Sequence, residues 1–361
     1  MRLLYLTDRI SHRGGAQHHL LDVIRAMAEE HEVVVGAAAI DSEVHLPTTV
    51  QTHKVGGLRS RKKSLGALQP LLQWADIVHL QNVMNPRAIE VASECPTVVT
   101  VQDHRMFCPG PGKTLPSAGP CSHTMNDSAC ALCIPDAERR NTQLALAEAT
   151  QVAIKNADRL IVLSTYMARE LENAGMGTPV VIPPPVPVGP PRTRAGNGFL
   201  MAGRMVHLKA PEEAYTAWAD ADTGHPLRIA GLGASVSQMP EAELLGWMGR
   251  EALRAAMAKA RAVLFPARWQ EPFGIVGAEA LAMGTPVIAT PTGGMSDWCT
   301  EGTVQVTGVA SMAEAIRHLA EHDEYATALG HRGQRHIERL CAPSRVHAAL
   351  SDVYTRLLRT R

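Results

Sequence analysis

The stretch PPPVPVGPPR at 183–192 constrains the chain more than any other segment. Consecutive prolines lack backbone N–H groups, fix φ and hold each preceding residue extended, so neither a helix nor a sheet interior runs through it. On both sides of it, short apolar runs alternate with segments of helical period. Before it come LLYL (3–6), EVVVGAAA (32–39), VQTHKV (50–55), DIVHLQ (76–81), TVVTVQ (97–102), RLIVLS (159–164) and PVVIP (179–183). AQHHLLDVIRAMAEE, SLGALQPLLQW, RAIEVASE and AERRNTQLALAEATQVAIKNA lie between them. After it come GFLMAG (198–203), LRIAGLG (227–233), AVLFPA (262–267), PVIAT (286–290) and TVQVTG (303–308). Helices are expected from Pro211, around REALRAAMAKA, from Pro272 and over the closing residues. Strand–helix–strand alternation means parallel strands with right-handed crossovers. The fold class expected is α/β, two Rossmann-like doubly wound domains facing a central cleft at the carboxyl ends of their strands. The boundaries read as an N-terminal domain over 1–183, a linker over 184–197 and a C-terminal domain over 198–342. A final amphipathic helix over 343–361 is expected to return to the first domain.

Composition removes several classes. Hydrophobic residues make up 45% and charged residues 19% of the 361, and mean hydropathy is −0.06, which excludes disorder as the main state. Lys+Arg and Asp+Glu both number 35, so no overall field draws nucleic-acid phosphates. No apolar run is long enough to span a bilayer, and Asp8 and Arg9 interrupt MRLLYLTDRI too early for a signal peptide. The expected address is the cytoplasm. The odd count of seven cysteines argues against a disulfide framework.

Three segments are suited to an anion and a sugar. RGGA (13–16) opens a helix after the first strand, where Gly14 and Gly15 let backbone N–H groups and the positive helix end approach a phosphate. AGRMVHLK (202–209) delivers Arg204, a fixed donor fork, and Lys209, a compact charge, to the end of a strand. RWQEPFGIVGAEALAMGTPVIATPTGG (268–294) places Glu271 at the mouth of a helix and Glu279 eight residues on, roughly 12 Å at helical rise. With Pro272 in the first helical turn, Phe273, Gly274 and Ile275 would offer N–H groups. Both acids sit among Ile275, Val276, Ala278, Ala280 and Leu281. Buried unpaired carboxylates are costly, and a ligand with vicinal hydroxyls explains them better than a solvated face.

With these residues in view, the chain resembles the retaining nucleotide-sugar glycosyltransferases of the GT-B fold, family 4-like, which carry an E-x7-E motif in the second domain. The resemblance rests on RGGA, on GR-x4-K and on EPFGIVGAEALAMGTPVIAT followed by a glycine pair. It implies that Arg204 and Lys209 bind the donor pyrophosphate, Glu279 the ribose and Glu271 the donor sugar. Gly15 would close over the phosphate. Gly293 and Gly294 fall where the family has its glycine pair, and a turn suffices to explain them. Two positions depart from the family. Ala210 replaces the usual glycine after the lysine, which reads as a minor change. Gln102 takes the place of a sugar-facing histidine, followed by Asp103 and His104, leaving open which of Gln102 and His104 meets the sugar.

The expected reaction transfers a sugar, with UDP as the default donor base, to an acceptor hydroxyl. No D-x-D pair stands at a strand end to ligate Mg²⁺, so metal-independent transfer by positive potential at the leaving group is expected. A sugar-nucleotide epimerase or hydrolase is the competing enzyme, for which Asp103 and His104 offer an acid–base pair. A non-catalytic sugar-nucleotide-binding protein is the third reading.

Two further features remain. The loop over 104–135 carries Cys108, Cys121, Cys130 and Cys133. These four thiolates could hold a structural Zn²⁺, with His123 as a spare ligand, or an iron–sulfur cluster, or be unliganded. Lys54, Arg59, Arg61, Lys62 and Lys63 form an acid-free basic cluster. It suits a small anionic acceptor, an acidic carrier or peripheral contact with a membrane, or is simply a solvated loop.

Overall fold

A computed structural model describes every residue except Met84, Ala118 and Arg361. Ala118 of the expected Cys-rich loop and Arg361 of the expected final helix thus lie outside the described residues. The chain divides into two compact units. One holds Met1–Ser117, Cys121–Pro185 and a return from Ser344, and the other has its main span over Val186–Pro343.

The first unit is built on a seven-stranded, wholly parallel sheet in the order β3-β2-β1-β4-β5-β6-β7. Its strands are β1 (Arg2–Thr7), β2 (Glu32–Ala37), β3 (Gln51–Lys54), β4 (Ile77–Gln81), β5 (Thr97–Val101), β6 (Arg159–Val162) and β7 (Val180–Val181). The crossovers carry α1 (Gly15–Glu30), α2 (Gln69–Trp74), α3 (Pro86–Ala92), the single turn α4 (Asp127–Cys130), α5 (Ala137–Ile154) and α6 (Thr165–Asn173). Every residue of β4 and β5 is buried, as parallel strands covered by helices on both faces require. Helix starts follow local chemistry: the side chains of Asn85, Asp136 and Ser164 accept from backbone N–H groups in the first turns of α3, α5 and α6.

The second unit has a six-stranded parallel sheet in the order β10-β9-β8-β11-β12-β13. It comprises β8 (Phe199–Ala202), β9 (Leu227–Ala230), β10 (Glu243–Gly246), β11 (Ala262–Phe265), β12 (Val287–Ala289) and β13 (Thr303–Gln305). The helices are α7 (Pro211–Ala221), α8 (Arg250–Lys259), α9 (Ile275–Ala282), α10 (Val309–Glu321) and α11 (Asp323–Cys341). Sequence periodicity misses β10, a four-residue edge strand with three exposed positions and no alternation to read.

The last helix, α12 (Pro343–Thr360), belongs to the first unit. Its Val346, Leu350, Val353, Tyr354 and Leu357 join Leu3, Tyr5, Ile24 and Val33 in one apolar cluster. A buried polar chain runs through it: the Tyr354 hydroxyl lies 2.8 Å from that of Tyr5 and 2.6 Å from Nδ1 of His79. Nε2 of His79 lies 2.7 Å from Thr100 Oγ1. Burial pulls His79 down to about 3, so this imidazole is neutral.

The proline-rich segment is no free tether after Pro185. The Val186 N–H donates to the Cys341 carbonyl at 2.8 Å and the Gly189 N–H to that of Ala282 at 2.9 Å. Arg192 is buried and donates to the Ala260 and Gly284 carbonyls. Burial, with Arg261 nearby, lowers its guanidinium to about 10. The segment is strapped to the second unit.

Candidate functional site

In the second unit the site grows from three strand ends. The turn after β8 holds Gly203 at φ +123° and leaves Arg204 exposed, with no ion pair to it among the described residues. Gly231 and Gly233, after β9, make this turn possible. A Cβ on either would strike the carbonyl of Gly203 or of Met205. Lys209 ends a single 3-10 turn, and its ammonium pairs with Oε1 of Glu271. It also lies 5.3 Å and 5.1 Å from the ring centres of Phe265 and Trp269.

Ala210 follows at φ 47°, ψ 45°, in the left-handed region. This corrects the reading of that position as a minor change. The backbone keeps the conformation that suits glycine and carries a Cβ in it, at a cost of roughly 1 kcal/mol. The expected helix over the E-x7-E segment is also corrected. It starts at Ile275, with Gly274 as its cap at φ +82°, so Pro272 and Phe273 precede it. The N–H groups left without helical partners are those of the cap Gly274, of Ile275 and of its successors in the first turn, and Phe273 falls before them.

Glu271 therefore lies in an irregular lead-in to α9, held from three directions. The Gly294 N–H donates to its carbonyl at 2.6 Å. Oε1 of Gln270 accepts from the Gly293 N–H at 3.0 Å, and Trp298 Nε1 donates to the Phe273 carbonyl at 2.6 Å. A Cβ on Gly293 would lie 2.5 Å from the Glu271 carbonyl oxygen, so this glycine is required for more than its turn. Glu279 sits within α9, and Oε1 accepts from Arg250 Nε at 3.0 Å. Glu271 and Glu279 are 4% and 6% exposed, yet each faces a cation, so neither is the unpaired buried charge that the sequence suggests. Arg250, at the start of α8, went unpredicted because the pairing spans 29 residues of chain.

In the first unit, Gly14 caps α1 at φ +102° with open space where a Cβ would stand, and Gly15 is the first helical residue. Gln102 follows β5 and is buried, its Oε1 accepting from Asn82 Nδ2 at 2.9 Å. Its Nε2 meets Nδ1 of His19, a buried residue of α1. Asp103 accepts from Arg105 Nε at 2.7 Å. A cavity of about 90 Å³ takes in Asn82, Gln102, Asp103 and Arg105 above apolar residues of β5 and α5.

His104 is a correction to the expected sugar pocket. It turns into the core against Phe107, with Nε2 3.0 Å from the Tyr166 hydroxyl, and does not line this cavity. Burial, opposed by Asp103, holds it down to about 4. Its ring is thus turned to Tyr166 and away from the cavity that Asp103 lines.

Cys108, Cys121, Cys130 and Cys133 are free thiols lining one small cavity. Among the described residues no three His, Cys, Asp or Glu side chains stand close enough to hold a metal ion as they are. The basic residues Lys54, Arg59, Arg61, Lys62 and Lys63 are all exposed. No helix among the described residues is long and apolar enough to cross a membrane.

Comparison with known proteins agrees with both halves. Residues 14–185 match the model for a glycosyl transferase 4-like domain, and residues 194–336 match that for glycosyl transferases group 1. The chain belongs to the group 1, family 4-like glycosyltransferases. An uncharacterized glycosyltransferase of Bacillus subtilis, YqgM, is 24% identical over 229 residues, 57% of this chain and 64% of the relative. A D-inositol 3-phosphate glycosyltransferase of Kineococcus radiotolerans is 28% identical over 262 residues, 58% of this chain and 60% of its own length. Among solved structures, Anabaena HepE in complex with UDP superposes with a TM-score of 0.72 at 17% identity, covering 99% of this chain and 100% of that one. WaaG, a glycosyltransferase involved in lipopolysaccharide biosynthesis, gives 0.67 at 16%, covering 96% and 98%. These likenesses establish the GT-B fold.

Proposed function

We propose that the chain transfers a sugar, with retention and without a catalytic metal, from a nucleoside-diphosphate sugar to an acceptor hydroxyl. The observation that carries this is the Lys209–Glu271 pair at the entry to α9, with Glu279 of α9 paired to Arg250 of α8. A donor pyrophosphate offers Lys209 and the exposed Arg204 a second anion. As Lys209 turns to it, Glu271 is freed to accept from sugar hydroxyls while Glu279 accepts from the ribose. The first-turn N–H groups of α9 add positive potential where the leaving group gains charge. The anomeric C–O bond to phosphate breaks as the bond to the acceptor oxygen forms on the same face, and the departing phosphate oxygen takes the acceptor proton. In the first unit, the glycine start of α1 at Gly14 and Gly15 suits a phosphate, and the polar groups of Gln102 and Asp103 suit hydroxyls.

UDP is the donor base to try first, since HepE was solved with UDP and with UDP-glucose. Relatives named for D-inositol 3-phosphate, together with the basic loop over 54–63, favour a small anionic polyol acceptor. Seven free cysteines suit the reducing cytoplasm.

Lys209→Ala tests the assignment with UDP-sugars offered alongside free and phosphorylated polyols. Turnover should fall about 100-fold or more while donor affinity changes far less. Unchanged turnover removes Lys209 from the chemistry. Donor cleavage at the same rate without any acceptor would replace transfer by hydrolysis.

A further inference from the structure

The loop from the end of β5 to the start of α5 has a single helical turn, α4, as its regular structure. Connections this long and irregular seldom hold one shape without a device of their own. The nucleotide-sugar chemistry uses none of its four cysteines. We propose that Cys108, Cys121, Cys130 and Cys133 together bind one zinc ion, which fixes this loop beside Gln102 and Asp103.

All four thiols line the same cavity of about 20 Å³, together with His123 and Lys113, and no carboxylate lines it. That volume is close to one water-sized body. Gly110 lies between two of the ligands: a Cβ built there would be 3.8 Å from the sulfurs of both Cys108 and Cys133. The backbone is already arranged for a thiolate. The Lys113 N–H points at Cys108 Sγ, 3.2 Å away, and Lys113 holds a left-handed φ of 55° directly after Gly112 at 66° to do so. Cys130 and Cys133 sit on one turn, with the Cys133 N–H donating to the Cys130 carbonyl at 3.1 Å.

One cation stands beside the charge that results. Four thiols lose four protons to solvent as four Zn–S bonds form, leaving a site of net charge −2. The Lys113 ammonium, its side chain 10% exposed, stands at this cavity, bonded to the His123 carbonyl at 3.0 Å and paired with Glu170 at 3.2 Å. Binding requires the sulfurs to rotate inward over the cavity they share, since no three are yet at ligating distance. The hard carboxylate and carbonyl ligands that select Mg²⁺ or Ca²⁺ are missing from this donor set, and soft thiolates select zinc.

The experiment uses the full chain purified without chelator. Elemental analysis should find about one zinc per chain, released on titration of the thiols with a mercurial. Refilling with Co²⁺ should give the intense visible bands of a tetrahedral cobalt thiolate. Cys130→Ser should lose most of the metal and cleave faster within 104–135 under limited proteolysis, while Cys95→Ser keeps both properties of the parent. Folded parent chain without stoichiometric metal or cobalt bands would overturn the proposal, as would disulfides among these four by mass spectrometry. Bound iron with a visible sulfide chromophore would overturn it in favour of a cluster.

Discussion

At the carboxyl edge of the second sheet, Glu271 faces Lys209 and Glu279 faces Arg250, so the buried polar groups there are charged and paired. At the carboxyl edge of the first sheet, Gln102 is fastened between Asn82 and His19, and His104 between Tyr166 and Phe107. An ion pair can exchange one partner for an incoming phosphate at little net cost, because charge meets charge before and after. A neutral amide locked at both ends has no such alternative and can only present a fixed surface. On the proposed function, this difference suits the second unit to receive charge and the first to hold hydroxyls still.

The largest expected effect breaks the charged half. Glu271→Gln keeps the shape but leaves Lys209 without its anion, and kcat/KM should fall about 100- to 1000-fold. Gln102→Ala removes neutral hydrogen bonds worth about 1–1.5 kcal/mol, roughly a tenfold loss. Steady-state kinetics on both variants checks this. Equal losses would mean that the two edges are not prepared differently.

The next effect reads the neutral half through pH. His104 is held at about 4 in the folded chain and titrates near 6.5 when unfolded. The unfolded state therefore binds more protons between these values. The stability that the neutral imidazole contributes is full above pH 6.5 and drains as pH falls, by about 1.4 kcal/mol per unit. His104→Phe should be less stable at pH 7, where the Tyr166 hydroxyl loses its partner, but show a shallower decline toward pH 4.5. Urea denaturation across that range measures it. An unchanged slope would place the imidazole in contact with water.

How much of this could be read along the chain depends on range. The parallel alternation was legible because short, largely apolar and β-branched runs recur between segments of helical period, and Glu271 and Glu279 because acids rarely sit among so many small apolar neighbours. Close approaches between distant segments were not. Gly293 against the Glu271 backbone and Gly231 against the Gly203 carbonyl are contacts that no local pattern announces. Gly277, under the ring of Trp298, is another. The direction of His104 was hidden for a different reason. Period-two alternation fixes side-chain faces within β5 and says nothing beyond its end, where the backbone turns inward.

A smaller effect separates holding from reacting. Arg250 donates to Glu279, and on the proposed function it positions that acid, so Arg250→Ala should raise the donor KM about tenfold and leave kcat within a few-fold. Arg250→Lys keeps charge without the fork and should recover only part of the loss. A fall in kcat with unchanged KM would move Arg250 from positioning to the transition state. The charged edge would then extend further along α8 than its pairing with Glu279 implies.

The smallest effect concerns Ala210, which holds φ 47° between Lys209 and the first turn of α7. Its Cβ crowds the following carbonyl in this conformation, and glycine removes that crowding. Glycine also widens the unfolded ensemble, which works in the opposite direction. The steric term is about 1–2 kcal/mol and the entropic term about 0.4–1 kcal/mol, so Ala210→Gly should stabilise the chain by up to about 1.5 kcal/mol. In a unit of this size that is a rise of about 3–6 °C at most in Tm, within reach of differential scanning calorimetry. A fall in Tm would mean that the alanine methyl, which is fully buried, contributes more by packing than it costs in backbone strain. The outcome bears on the comparison directly, because Lys209 reaches Glu271 from the residue immediately before this strained one. If relief of the strain also loosens the lysine, turnover falls as stability rises, and the charged edge is then held ready by strain as well as by pairing.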